Sequence, residues 1–268
     1  MVLKQLFGSY INIIVDKIDQ YSPPIRKRDF STKYCLKHIC WVLKTGAPWS
    51  SIKTICHFTT IYKRFIEWKS NDVFEIIWKD ILNEYTNKQL LKDPKWANIM
   101  YIDSTMIKNV LGSDSLGRNH YDRNRWATKQ SIICDINKVP LSCSYYGANI
   151  HDVKTIEESL QKLTCKYRLD KRYVTNIVGD KGYIINQQKR SQLFNTYKMK
   201  LVTPKRCNQL HSVTKQTKAL LKERYKVEHV FCRLDKFIRL RSRVDRYIDN
   251  YESFNYLAMV SITIKTMS

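Results

Sequence analysis

The chain has 268 residues, 43% hydrophobic and 12% aromatic, enough for two modest domains or one large one and too apolar for wholesale disorder. Lys and Arg number 47 against 24 Asp and Glu, a net charge of +23, which repels itself in a compact state and calls for a polyanionic partner. Seven glycines permit neither a G-x-G-x-x-G turn nor a phosphate-cradling loop, so no nucleotide is expected, and eight cysteines without close pairs read as reduced thiols, not a zinc site.

Residues 1–96 read as helical. A helix over 32–44 is apolar at Tyr34, Ile39, Val42 and Leu43 and stops at Gly46. Leu36 and Trp41 around Cys35, His38 and Cys40 suggest core packing there. Pro48 and Trp49 open a second short helix running through Cys56. Thr59 or Thr60 caps a third, with Ile61, Phe65 and Trp68 as its buried stripe and Thr60, Lys63, Arg64 and Glu67 opposite. A fourth over 72–85 carries Val73, Ile76, Ile77 and Leu82. Such a succession, with a basic outer face, fits a helix-turn-helix in which Thr60, Lys63 and Arg64 meet DNA; an ordinary helical bundle has the same spacing.

Lys92, Asp93 and Pro94 break the helical pattern and strand chemistry follows. Strands are predicted at 99–105, 131–134, 141–146, 173–178 and 199–202, the second and third flanking a turn at 135–140. Helices are predicted at 152–163, 184–194, 215–240 and 250–265. The order β-β-β-α-β-α-β-α indicates an α/β fold, a mixed five-stranded sheet with flanking helices. The division is therefore an all-α N-terminal domain, 1–96, and a sheet domain, 97–268. The apolar run near the C-terminus is too short and hydroxyl-rich to span a bilayer, no signal peptide is legible, and no membrane association is expected.

Charge is concentrated late in the chain. Residues 198–246 hold 15 Lys or Arg and four acids, a net +11. A solvated helix face mixes its signs, so this segment, with Lys205, Arg206, Arg239, Arg241 and Arg243, reads as a surface for phosphates.

Asp103 ends the first strand, in YIDST, and Asp180 ends the fourth, in NIVGDKGY. Acids are disfavoured inside strands, and at the carboxyl ends of neighbouring strands they point into one crevice, where open α/β sheets place their sites. Glu228 lies in the basic helix, one turn after Arg224, flanking the apolar stripe Leu220, Val227, Phe231, Leu234 and Ile238. Three convergent carboxylates suit hard divalent cations. Each residue alone also fits a bland role: turn residue, helix cap or surface ion pair.

Taken together these segments resemble the DDE transposases of the insertion-sequence-five branch. WVLKTGAPWSSIKTICHFTTIYKRFIEW resembles that family's N-terminal helical region, YIDST its first-aspartate strand, and TKQSIICDINKVPLSCSYYGANIHD its second and third strands, ending in the pair His151 and Asp152. VGDKGY resembles the second-aspartate strand, KMKLVTPKR the fifth strand, and RYKVEHVFCRLDKFIRLRSR the glutamate helix. Two positions depart from the family signature: Leu221 stands where a tyrosine is usual and Asp235 where a lysine is usual, with Lys236 beside it.

The resemblance implies a ribonuclease-H-like catalytic domain preceded by the helix-turn-helix-like domain. It implies Asp103, Asp180 and Glu228 as ligands of two Mg²⁺ (or Mn²⁺) ions, with Arg224 assisting catalysis and Lys181 meeting phosphate. The implied activity is cleavage and strand transfer of double-stranded DNA at terminal inverted repeats, by a homodimer on DNA. The implied location is the cytoplasm or nucleoid, or the nucleus of a eukaryotic host. The alternative is a retired transposase that still binds DNA without cutting it.

Overall fold

The computed structural model describes residues 2–23, 29–163, 174–204 and 214–267. They divide into two compact units, Met1–Leu82 with Asn109–Asp114 and Arg233–Ser268, and Asn83–Lys108 with Ser115–Cys232. The final helix therefore belongs with the N-terminal helices, although sequence order sets it after the sheet.

The first unit is helical: α1 (Val2–Phe7), α2 (Ile11–Tyr21), α3 (Thr32–Thr45), α4 (Phe58–Ser70), and Val73–Leu82 of α5 (Val73–Lys92). Ser31 caps α3 by accepting the Tyr34 N–H, and Gly46 ends it at φ +67°. A Cβ at Gly46 would lie 2.7 Å from Ile238 Cγ2, so conformation and packing both demand glycine. The predicted second helix shrinks to one 3₁₀ turn, Trp49–Ser51, and α4 starts earlier than predicted, at Phe58. His57, not a threonine, caps it, its ring nitrogen accepting from the Thr59 N–H.

Ile61, Phe65 and Trp68 are fully buried, as their spacing requires. Phe65 stacks on Phe254 of the last helix with ring centroids 4.6 Å apart, and Trp49 and Phe74 complete the aromatic cluster. That last helix is buried along most of its length, and its hydroxyls find backbone acceptors: Ser261 donates to Leu6 O, Thr263 to Met259 O. Among the described residues no helix is long and apolar enough to cross a membrane.

The second unit is built on a mixed sheet. Its strands are β1 (Ile99–Asn109), β2 (Gly117–Asn119), β3 (Arg125–Cys134), β4 (Pro140–Gly147), β5 (Thr175–Val178) and β6 (Met199–Val202). The main order is β4-β3-β1-β5-β6: β4, β3 and β1 pair antiparallel, and β1, β5 and β6 pair parallel. Short β2 adds to the start of β3. The predicted five strands and their flanking helices are thus present in an open mixed sheet, with α6 (Asp152–Gln161) and α7 (Gln187–Tyr197) as the crossovers.

The turn between β3 and β4 is an anchor. Asp135, 1% exposed, accepts from Tyr85 Oη, Trp96 Nε1 and the amides of Asn137 and Val139. The single helix predicted over 215–240 is three pieces: α8 (Lys215–Lys222), α9 (Tyr225–Leu234) and a 3₁₀ turn, Ile238–Leu240. The break falls at Glu223, whose carboxylate accepts from Tyr101 Oη (2.6 Å) and Lys226 Nζ (2.8 Å). The Tyr101 bond, unavailable to a helix read in isolation, holds the chain in its turn there. Consequently Val227, Val230 and Leu234 form the buried face of α9, whereas Ile238 is exposed in the separate turn.

The C-terminal segment of the first unit also holds a two-residue strand, β7 (Ser242–Arg243), and ends in α10 (Ile248–Met267), the helix packed on Phe65.

Candidate active site

The register of the parallel pair brings the two aspartates together. Tyr101 of β1 lies opposite Val178 of β5, and each aspartate follows two residues later, so Asp103 and Asp180 occupy equivalent positions just past the paired segment. Adjacent strands lie roughly 4.8 Å apart, which sets the two carboxylates side by side. Asp103 does not end its strand as predicted: β1 runs on to Asn109 because β3 continues to pair with it past Asp103. Asp180 leaves its strand in an extended conformation, and its Oδ1 accepts the Gly182 N–H at 2.7 Å, fixing the following turn. A Cβ on Gly182 would fall 2.6 Å from Asp152 Oδ2 and 3.0 Å from Asp180 Oδ1. Glycine is therefore needed for Asp152 and Asp180 to flank that turn.

The helix glutamate reaches the same place through an arginine. Arg224 donates from one terminal nitrogen to Asp103 Oδ2 and from the other to Glu228 Oε1, each at 2.8 Å. A guanidinium thus sits as the cation between carboxylates from β1 and α9. Asp103 Oδ1 accepts the amide of Ser104 at 2.8 Å. Burial pushes the Asp103 carboxyl up to about 6; the Ser104 amide and Arg224 oppose this, and the charges of Asp180 and Asp152 reinforce it.

That shift has a testable consequence. Folding raises the proton affinity of Asp103, so the metal-free fold loses stability as pH rises from about 4 to about 6, and the loss persists above. Asp103→Asn should then melt above the unaltered chain at pH 7.5 in chelator, by at most about 3 kcal/mol, and show no such advantage at pH 4. Thermal denaturation of both at the two pH values decides it; an equal difference at each would mean that the carboxylate is not strained.

A second set of contacts supports the site. Lys129 of β3, 4% exposed, donates to Asp152 Oδ1 at 2.7 Å and to the carbonyl of Ile150. Ser104 Oγ donates to the same Asp152 oxygen at 2.6 Å. Asp152 therefore ties β1, β3 and the start of α6 together beside Asp103. The signal in the sequence was a lysine inside a strand that is otherwise buried, TKQSIIC, because a cation there needs an acid.

The remaining candidates divide by exposure. Lys63 and Lys181 are exposed and Thr60 is half-buried. Arg241 is exposed, donating to the carbonyl of Asp235. Arg64 is buried, pairing with Glu67 and lying over the Trp68 ring. Arg239 is buried in a two-pronged pair with Asp245, and Arg243 is fully buried against Asp114. These three side chains are turned to partners within the fold, because a buried guanidinium requires acceptors. Lys205 and Arg206 lie outside the described residues.

Oxygen-only, anionic donors from two neighbouring strands and a helix match the chemistry of a hard divalent ion, and Arg224 already holds a positive charge between two of them. Among the described residues, however, no three carboxylate, histidine or cysteine side chains stand close enough together to cage a metal.

Residues 97–262 match the family model described as "Transposase DDE domain". In fold, the chain is similar to a piggyBac transposase in the cryo-EM structure of its synaptic complex with hairpin DNA. The TM-score is 0.54 at 11% identity, over 99% of this chain and 74% of that one. No curated protein matches in sequence.

Proposed function

This chain belongs to the transposase DDE domain family, and from that premise we propose that it cuts DNA and joins the ends by phosphoryl transfer at Asp103, Asp180 and Glu228. The observation that carries the reading is the Arg224 bridge, which links Asp103 and Glu228 across 125 residues of chain while Asp180 bears electrostatically on Asp103. The motifs WVLKTGAPWSSIK, YIDST, VGDKGY and RYKVEHVF support the insertion-sequence-five branch within the family.

Asp103, Asp180 and Glu228 would hold divalent ions, two Mg²⁺ or Mn²⁺, which when bound would supply activation of the attacking oxygen and stabilisation of the leaving one. The chain's own residues do the rest. Arg224 keeps Asp103 and Glu228 at one place and carries a charge complementary to a phosphate. Lys181, exposed next to Asp180, adds a second cation. Lys129 and Ser104 orient Asp152, which keeps the floor of the site rigid.

Double-stranded DNA with terminal inverted repeats is the proposed substrate, bound by a homodimer. The piggyBac complex holds hairpin DNA, and for this chain the +23 charge supports a DNA partner. Thr60, Lys63 and Arg241 are the proposed contacts with a side chain at least partly open to solvent. Leu221 and Asp235, the two departures from the signature, favour a second reading, a binder that no longer cuts.

Metal dependence separates the two. Nicking of oligonucleotides carrying the element's ends should require Mg²⁺ or Mn²⁺, whereas Ca²⁺, larger and more loosely coordinated, should sustain binding with little chemistry. Undiminished cleavage in excess EDTA would remove the metal mechanism. Binding without cleavage under any of these ions would leave the retired binder standing.

A further inference from the structure

The second unit carries an exposed hairpin tip that the proposed chemistry does not use. Residues 120–124 join β2 to β3, and the paired ends of those strands set Arg118 directly opposite Trp126. Tyr121 in the turn is 96% exposed and Trp126 is 48% exposed, although aromatic rings stabilise most when they are buried. The Arg118 guanidinium carbon lies 4.2 Å from the centroid of the Trp126 ring, a cation stacked on an aromatic face. Arg123 and Arg125 are exposed beside them. Three arginines against Asp122, the single acid in residues 118–126, leave the tip at a net +2.

Hydrogen bonds hold the tip in one shape. Asn119, itself buried, accepts the Tyr121 N–H on its side-chain oxygen and the Asp122 N–H on its carbonyl, each at 3.1 Å. The Arg125 N–H donates to the Asp122 carbonyl (2.9 Å) and the Arg118 guanidinium to the Asn124 carbonyl (3.1 Å). Arg123 and Asn124 both take left-handed backbone, φ 48° and 59°, where glycine would fit with less strain. Rings presented on a turn held this way lose little freedom when a flat ligand stacks on them.

Strand register sets where the tip lies. Asp103 is opposite Ile132 of β3, and Trp126 comes six residues earlier in the same strand. Six is even, so alternation puts Trp126 and Asp103 on one face of the sheet. Because β3 runs antiparallel to β1, the tip lies beyond Asp103 in the direction in which β1 runs, roughly 20 Å away at about 3.3 Å per residue. At about 3.4 Å per nucleotide, that is on the order of six nucleotides along a strand whose phosphate sits at the carboxylates.

We propose that this tip is a stacking platform for unpaired nucleotides of DNA, with Tyr121 and Trp126 taking bases and the arginines taking phosphates. The proposal rests on DNA being the partner of the carboxylate site, as proposed above. Paired bases hide their faces inside the duplex, whereas a ring as open as that of Tyr121 matches the face of an unpaired base of any sequence.

The test measures binding of the full chain to an oligo-dT strand and to a random-sequence duplex over a salt series. With Tyr121→Ala/Trp126→Ala, affinity for oligo-dT should fall at least about tenfold, a low figure for two stacked bases. The slope of log affinity against log salt and the affinity for duplex should stay as they were. Tyr121→Phe/Trp126→Phe keeps two aromatic faces and should hold oligo-dT affinity to within about threefold. Arg123→Gln/Arg125→Gln should instead flatten the oligo-dT slope, by about 0.7 for each phosphate no longer neutralised. Melting temperature reports folding. Tyr121→Ala alone has almost no packing to lose; it should weaken oligo-dT binding severalfold and decides the matter if the double variant melts early.

Unchanged oligo-dT affinity in the Ala variants would overturn the proposal, and so would an equal loss on duplex. Duplex binding without oligo-dT binding by the unaltered chain would overturn the platform alone. Binding of neither would overturn the proposed function and the platform with it.

Discussion

Asp180→Asn is expected to reduce DNA cleavage at least about 10³-fold, some 4 kcal/mol of barrier, with little change in fold. The local structure explains the separation. Asp180 Oδ1 accepts the Gly182 N–H, and the asparagine carbonyl oxygen can accept the same bond, so the turn after β5 survives. What disappears is one negative charge at the end of a strand beside Asp103, the charge that would hold a divalent ion. Its loss also relieves repulsion on Asp103, so the melting temperature should hold or rise slightly. Duplex binding should persist, because the proposed contacts at Thr60 and Lys63 lie on α4. A gel shift beside a nicking assay on the same oligonucleotides at one salt concentration reads both quantities. Cleavage by the Asn variant at the unaltered rate would rule Asp180 out of the chemistry.

The second large effect is on stability and sits away from the chemistry. Asp135→Leu should destabilise the fold by about 3–5 kcal/mol, the usual cost of stripping one partner from a buried polar network. Four donors lose their acceptor at once: the Tyr85 hydroxyl, the Trp96 indole and the amides of Asn137 and Val139. Leucine offers none of them a replacement, and no water reaches a site 1% exposed. For a chain of this size the melting temperature should fall by roughly 10 °C. Asp135→Asn keeps one acceptor oxygen and should recover part of the loss. A Leu variant that melts with the unaltered chain would mean that the β3–β4 turn is not the anchor its hydrogen bonds describe.

Local chemistry was legible along the chain wherever one element decides the outcome. The i, i+4, i+7 spacing of Ile61, Phe65 and Trp68 is a property of α4 alone, and all three are buried. Gly46 stops α3 because only its own backbone must turn left-handed. The strands around Asp103 and Asp180 declared themselves through short apolar runs, although β1 continues past Asp103 to Asn109, and their order implied the sheet. The tertiary structure decided what depends on partners distant in the chain. Arg64, Arg239, Arg241 and Arg243 are equivalent as letters in a basic sequence. Yet Arg243 is buried against Asp114, 129 residues away, and Arg241 is exposed. The break at Glu223, which turns Arg224 toward Asp103, depends on Tyr101, 122 residues earlier. The pairing of Lys129 with Asp152 and the burial of α10 among the first helices follow the same rule. Periodicity records which face of an element is apolar; a buried charge takes whichever acceptor the assembled fold brings near, and the desolvation cost of leaving it unpaired makes that choice decisive.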